Sequence, residues 1–128
     1  MHYKKQIDVN TYIFISEFGS QRGLDFEHNN ERFSANITFG SAINIERDLG
    51  KKFNRLISLD NQSLDEESIE SILYHALNSD SKDYSLLKIR YLTAEMGIKT
   101  ASLIATCLIT IFLYPNSINK LTDICHER

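Results

Sequence analysis

Ala101 to Tyr114 reads ASLIATCLITIFLY, and no charged residue occurs from Thr100 to Asn119. A helix apolar on nearly every side must be covered all round, by its own domain or by lipid. A bilayer span needs about 20 mostly apolar residues. Here the apolar run gives way at once to Pro115, Asn116, Ser117 and Asn119. A buried core helix over about residues 98–114 is the favoured reading, and a membrane role, with Lys99 and Lys120 as interfacial anchors, is the disfavoured one.

The cover must come from the rest of the chain. A domain of 128 residues buries roughly two thirds of its unfolded surface, enough for one core. With 42% hydrophobic residues, seven Phe and six Tyr, the composition is that of a globular chain rather than a disordered one. One domain over residues 1–128 is expected.

Ile7, Val9, Tyr12, Phe14 and Ile15 are strand formers, read as one strand ending near Phe18, with Gly19 to Gly23 as a turn. Leu24, Phe26 and His28 alternate with polar residues up to Asn29-Asn30, and Phe33, Ala35, Ile37 and Phe39 resume the alternation. That pattern predicts a hairpin with a primed turn, because Asn tolerates positive φ. At Gly40-Ser41 the reading forks. Ala42, Ile43 and Ile45 make a fourth strand after a Gly-first turn, or Ser41 caps a helix whose stripe is Ala42, Ile45, Leu49, Phe53 and Leu56. Helix is preferred, and the cost of an interior Gly50 favours a start near Arg47.

Ser63-Leu64-Asp65-Glu66 matches a capping box, followed by Ile69, Ile72, Leu73, Ala76 and Leu77 at helical spacing. Ser81 can cap a further helix with Tyr84, Leu87, Tyr91 and Ala94 as its inward stripe, ending at Gly97. After the apolar helix, Pro115 is a stop and Ser117 can cap a short helix through Ile124. The expected class is α+β: antiparallel strands over about residues 6–39, then four or five helices, the one at about 98–114 central and buried.

Spacing-specific chemistry is sparse. There is no Gly-rich phosphate loop, nucleophile elbow, His-Glu-x-x-His or Cys-x-x-Cys. No catalytic residue, metal ligand set or cofactor is assigned. His28 reads as a solvated hairpin residue, His75 as a helix-boundary residue, and Cys125-His126 as an adjacent pair that lacks preorganised geometry. The only cysteines are Cys107 and Cys125. Cys107 reads as a buried free thiol, and with no apolar signal core at the N-terminus the expected location is the cytoplasm.

Charge distribution is more informative than motif. The net charge of -3 and pI near 5.8 argue against direct nucleic-acid binding. From Asp60 to Asp83 seven acids face Lys82 alone, so the chain is polarised along its length. Asp60, Asp65, Glu66, Glu67 and Glu70 are the expected contacts for a protein partner with a basic surface. The profile is that of a small binding protein, such as an inhibitor or immunity protein neutralising a basic toxin or nuclease. Two alternatives stand beside it. One is a metal-independent ribonuclease using His28 or His75, and the other is a homodimeric structural or adaptor domain in which a second copy covers the apolar helix.

Overall fold

The N-terminal alternation resolves into four strands. A computed structural model describes residues 2–18, 21–52, 55–56, 64–79 and 83–113. Strands β1 (His2–Asp8), β2 (Thr11–Phe18), β3 (Gln21–His28) and β4 (Glu31–Ala35) pair antiparallel in the order β1-β2-β3-β4. The single strand expected through Ile7 to Phe18 is therefore corrected to a hairpin. Asp8 turns the chain by accepting the Val9 N–H at 2.7 Å, a local bond that competes with the ladder. The expected turn over Gly19 to Gly23 is also shorter, since β3 has begun by Gln21. The Asn29-Asn30 turn is as expected. Its residues take φ of 50° and 69°, the pair of positive values a type I′ turn requires.

One face of this sheet carries Ile7, Ile13, Leu24, Phe26, Phe33 and Ala35, all buried. Phe26 and Phe33 are directly paired across β3 and β4, with ring centroids 5.0 Å apart. On the other face Lys4 and Arg32 lie over the half-buried rings of Tyr12 and Phe14, Arg32 at 4.0 Å from the Phe14 centroid.

Four helices follow: α1 (Phe39–Leu49), α2 (Glu66–Leu77), α3 (Leu86–Met96) and α4 (Ile98–Leu113). Residues 42–45 are helical. The Thr38 hydroxyl caps α1 by accepting the Ser41 N–H, so β4 stops at Ala35 and Phe39, expected in the strand, opens the helix and is 82% exposed. Gly50 ends α1 at φ 66°, where its N–H bonds the Glu46 carbonyl. The helix neither starts near Arg47 nor passes through Gly50, because the left-handed position suits a residue without Cβ.

Asp65, and not Ser63 of the expected capping box, caps α2 by accepting the Ser68 N–H at 2.8 Å; Ser63 lies outside the described residues. Ile69, Ile72, Leu73, Ala76 and Leu77 are buried as their spacing requires. Helix α2 packs against α1, α3, α4 and β4, and the Asn36 N–H bonds the Ala76 carbonyl at 3.1 Å. It takes the central place assigned from sequence to the apolar helix. Helix α4 buries Ala101, Ile104, Ala105, Cys107, Leu108 and Ile109 but leaves Leu103 and Ile111 to Leu113 half-buried.

Helix α3 is capped by Ser85, whose side chain accepts the Lys88 N–H, and it buries Ile89, Leu92, Thr93 and Met96. The expected inward stripe is overturned. Tyr84 packs on Phe33, but Leu87, Tyr91 and Ala94 face solvent. Two apolar stripes compete on this helix, and the chain is tied to α2 at its start. There the Asn78 side chain bonds both the N–H and the carbonyl of Tyr84. Gly97, at φ 91°, then bends the chain by 116° into α4. Among the described residues no single helix is long and apolar enough to cross a membrane. The helix expected to start at Ser117 lies outside the described residues, as do Ser81, Cys125 and His126.

Candidate functional site

Helices α2 and α3 run antiparallel, since Asn78 at the end of α2 grips Tyr84 and Glu70 pairs with Arg90 at 3.1 Å. This arrangement sorts the five acids singled out from sequence. Asp65 is committed to its cap: hydrogen bonds from Ser68 hold its carboxyl below the usual range, and Lys51 adds a smaller pull. Glu70 is committed to Arg90 and mostly buried. Glu66 and Glu67 are exposed in the first turn of α2, and among the described residues they make no ion pair. Asp60 lies outside the described residues. Of the five, two therefore present outward carboxylates that the fold has not already used.

The antiparallel pairing brings this first turn alongside the end of α3. Glu66, one turn before Glu70, comes level with Ala94. The solvent face of α3 carries Leu87 at 76% and Tyr91 at 67% exposure, and Asp83, also exposed, precedes the helix by one turn from Leu87. Sequence reasoning placed Leu87 and Tyr91 in the core. The signal that could have placed them outside is the rival stripe of Ile89, Leu92 and Met96.

A second constellation lies at the hairpin tips. Thr11 Oγ1 is 2.8 Å from His28 Nδ1, and His28 Nε2 is 3.0 Å from Glu95 Oε1. A carboxylate only accepts, so Nε2–H donates to Glu95, while Nδ1 shares a hydrogen bond with the Thr11 hydroxyl. The Asn29 amide donates to the same Glu95 oxygen at 3.0 Å. His28 is 5% exposed, which corrects the solvated reading: as the cross-strand partner of Thr11 it points to the covered face of the sheet.

The order hydroxyl, imidazole, carboxylate is that of a nucleophile and its base. Attack requires an open hydroxyl, however, and Thr11 is 1% exposed. The physical work of the group is to tie both hairpin turns to α3. The Asn29 N–H supports this by bonding the Asn10 carbonyl at 3.0 Å, and Thr100 Oγ1 donates to Asp8 at 2.8 Å. His75, read from sequence as lying at the edge of the apolar stripe, is half-buried in the last turn of α2 and pairs with Asp48 at 2.7 Å.

Two hollows lie among the described residues. A cavity of about 10 Å³ between the sheet and α4, lined by Leu24, Ile37, Leu108 and Phe112 among others, has room for no more than a water molecule. An open depression at the end of α1 is lined by Ile43, Glu46, Arg47, Gly50, Lys51 and Lys52. Among the described residues no three of His, Cys, Asp and Glu converge as a metal centre would require.

Among the described residues these features define an α+β class, a four-stranded meander with four helices, whose candidate site is a surface. No family model, curated protein or solved structure matches the chain.

Proposed function

We propose that the chain is a small protein-binding domain that neutralises a basic toxin or nuclease in the manner of an inhibitor or immunity protein. The observation that carries this reading is the pair Glu66 and Glu67, two outward carboxylates on the helix that packs against four other elements. The helix dipole explains why acids are favoured in that turn, but it leaves their outer oxygens available to a partner. Held on a rigid element, they need little ordering on binding, and complementary charge raises both on-rate and specificity. The outward acids also disfavour phosphate backbones.

Affinity capture of the tagged protein from its native cells, washed at low and then high salt, tests the reading. A basic protein partner released by salt is expected, and Glu66→Lys with Glu67→Lys abolishes its capture. These positions are preferable to Asp65 or Glu70, whose replacement also breaks a cap or an interhelical pair. A partner that is retained by the double variant, or that binds independently of salt, overturns the assignment.

A further inference from the structure

The outer face of α3 is an apolar ridge that folding leaves without cover. Leu87 and Tyr91, four residues apart on one side of the helix, expose three quarters and two thirds of their surface, and Ala94 continues the line. Leucine and tyrosine placed outward at helical spacing form a contiguous strip, unlike the single scattered apolar residues of an ordinary surface.

The charges around the strip indicate what covers it. The two cations of α3 are already engaged, Lys88 with Glu31 at 3.5 Å and Arg90 with Glu70 at 3.1 Å. Asp83 at one end and Glu66 and Glu67 at the other make no ion pair among the described residues, and Glu95 on the flank is held by the imidazole of His28 and the amide of Asn29. The rim therefore carries an excess of carboxylates. That excess opposes a second copy of the chain, because a twofold pairing of α3 with itself brings like-charged rims together. It equally opposes an anionic membrane.

We propose that the α3 ridge docks an amphipathic helix of the partner, one with apolar residues repeating at three and four positions and Lys or Arg on both flanks. The mode is ordinary helix-on-helix packing, with Leu87 and Tyr91 as anchors and the surrounding carboxylates setting orientation. The inference rests on the reading of the domain as a protein binder and supplies the form and chemistry of what it binds.

The test is an NMR titration of isotopically labelled protein with a synthetic amphipathic helix of Leu and Lys, compared with the same design in which Glu replaces Lys. The Lys peptide is expected to shift the amides of residues 87–94 and of the first turn of α2. Leu87→Ser with Tyr91→Ser, both surface positions, is expected to weaken that binding roughly tenfold or more, with the melting transition retained. The Glu peptide is expected to leave the spectrum unchanged.

Three results overturn the ridge. In the first, the Lys peptide shifts only the α2 turn and is indifferent to the Leu87/Tyr91 variant, which leaves the charge-led binding reading standing. In the second, the two peptides bind equally. In the third, concentration-dependent broadening of the α3 resonances without peptide identifies a second copy as the occupant. Loss of salt-sensitive capture by wild-type protein from native cells is a separate failure, that of the protein-binding reading itself.

Discussion

His28→Ala removes the centre of the buried relay and should be among the most costly changes to a polar residue in this domain. The ring is 5% exposed, and its loss leaves the Thr11 hydroxyl, at 1% exposure, without its imidazole partner. An orphaned buried hydroxyl costs about 1–3 kcal/mol, and the lost burial of the ring adds about 1–2 kcal/mol. Glu95 is 40% exposed and can turn to water, so it adds little. The expected destabilisation is about 3 kcal/mol, a large part of the roughly 5–15 kcal/mol that holds a domain of this kind. At about 4 °C per kcal/mol for a chain of this size, the melting temperature falls by about 12 °C.

Urea unfolding followed by circular dichroism measures this loss, and a second substitution identifies its cause. Thr11→Val alone should destabilise, because it leaves the buried Nδ1 without its hydroxyl partner. In the His28→Ala background the same change should restore about 1 kcal/mol, since a methyl replaces a hydroxyl that no longer has its partner. A loss below about 1 kcal/mol for His28→Ala, or Thr11→Val destabilising equally in both backgrounds, would refute the reasoning.

Asp65→Ala should cost about 1 kcal/mol at neutral pH through loss of the α2 cap. Because the folded carboxyl titrates below its unfolded value, its ionic contribution is complete above the usual carboxylate range. That contribution is lost as pH falls through the lowered folded value, so wild type and variant should converge in acid denaturation. Gly50→Ala should cost about 1 kcal/mol through backbone strain alone, as φ is 66° and nothing lies within 4 Å of the added Cβ; a chemical melt that leaves stability unchanged would count against the left-handed cap. Ile72→Ala, at a fully buried position of the central helix, should cost about 2–5 kcal/mol in the same melt. Asn30→Gly should be neutral or slightly stabilising, because Asn-Gly is the preferred type I′ pair, and cross-strand NOEs between β3 and β4 should persist.

The features legible in the sequence are those with a local cause. Asn29-Asn30 produces its turn because both residues accept positive φ, Gly97 its bend for the same reason, and Ile69 to Leu77 their buried face because spacing alone puts them on one side of a helix. The Ala101 to Leu113 run is helical because no Gly or Pro interrupts it. Local signals also misled where two were close together. The strand formers from Ile7 to Ile15 read as one strand, whereas the Asp8 side chain between them takes the next N–H where the chain turns. Ser63 offered a capping box two residues before the cap that forms.

The candidate site was only half legible. Clustered acids are visible in any sequence, but which of them remain free depends on partners far along the chain: Glu70 is engaged by Arg90, while Glu66 and Glu67 are left outward. His28 and Glu95 are 67 residues apart, and no local pattern joins them.

What the sequence by itself determined is that strands precede helices, the α+β class, the acidic segment and the presence of one strongly apolar helix, because periodicity, turn chemistry and charge are properties of neighbouring residues. Tertiary structure decided the rest. Among the described residues helix α2 takes the centre, packing on α1, α3, α4 and β4 together, and α3 turns Ile89, Leu92 and Met96 inward. A helix with two apolar stripes can bury only one against a given neighbour, so the choice that left Leu87 and Tyr91 facing solvent was made by packing.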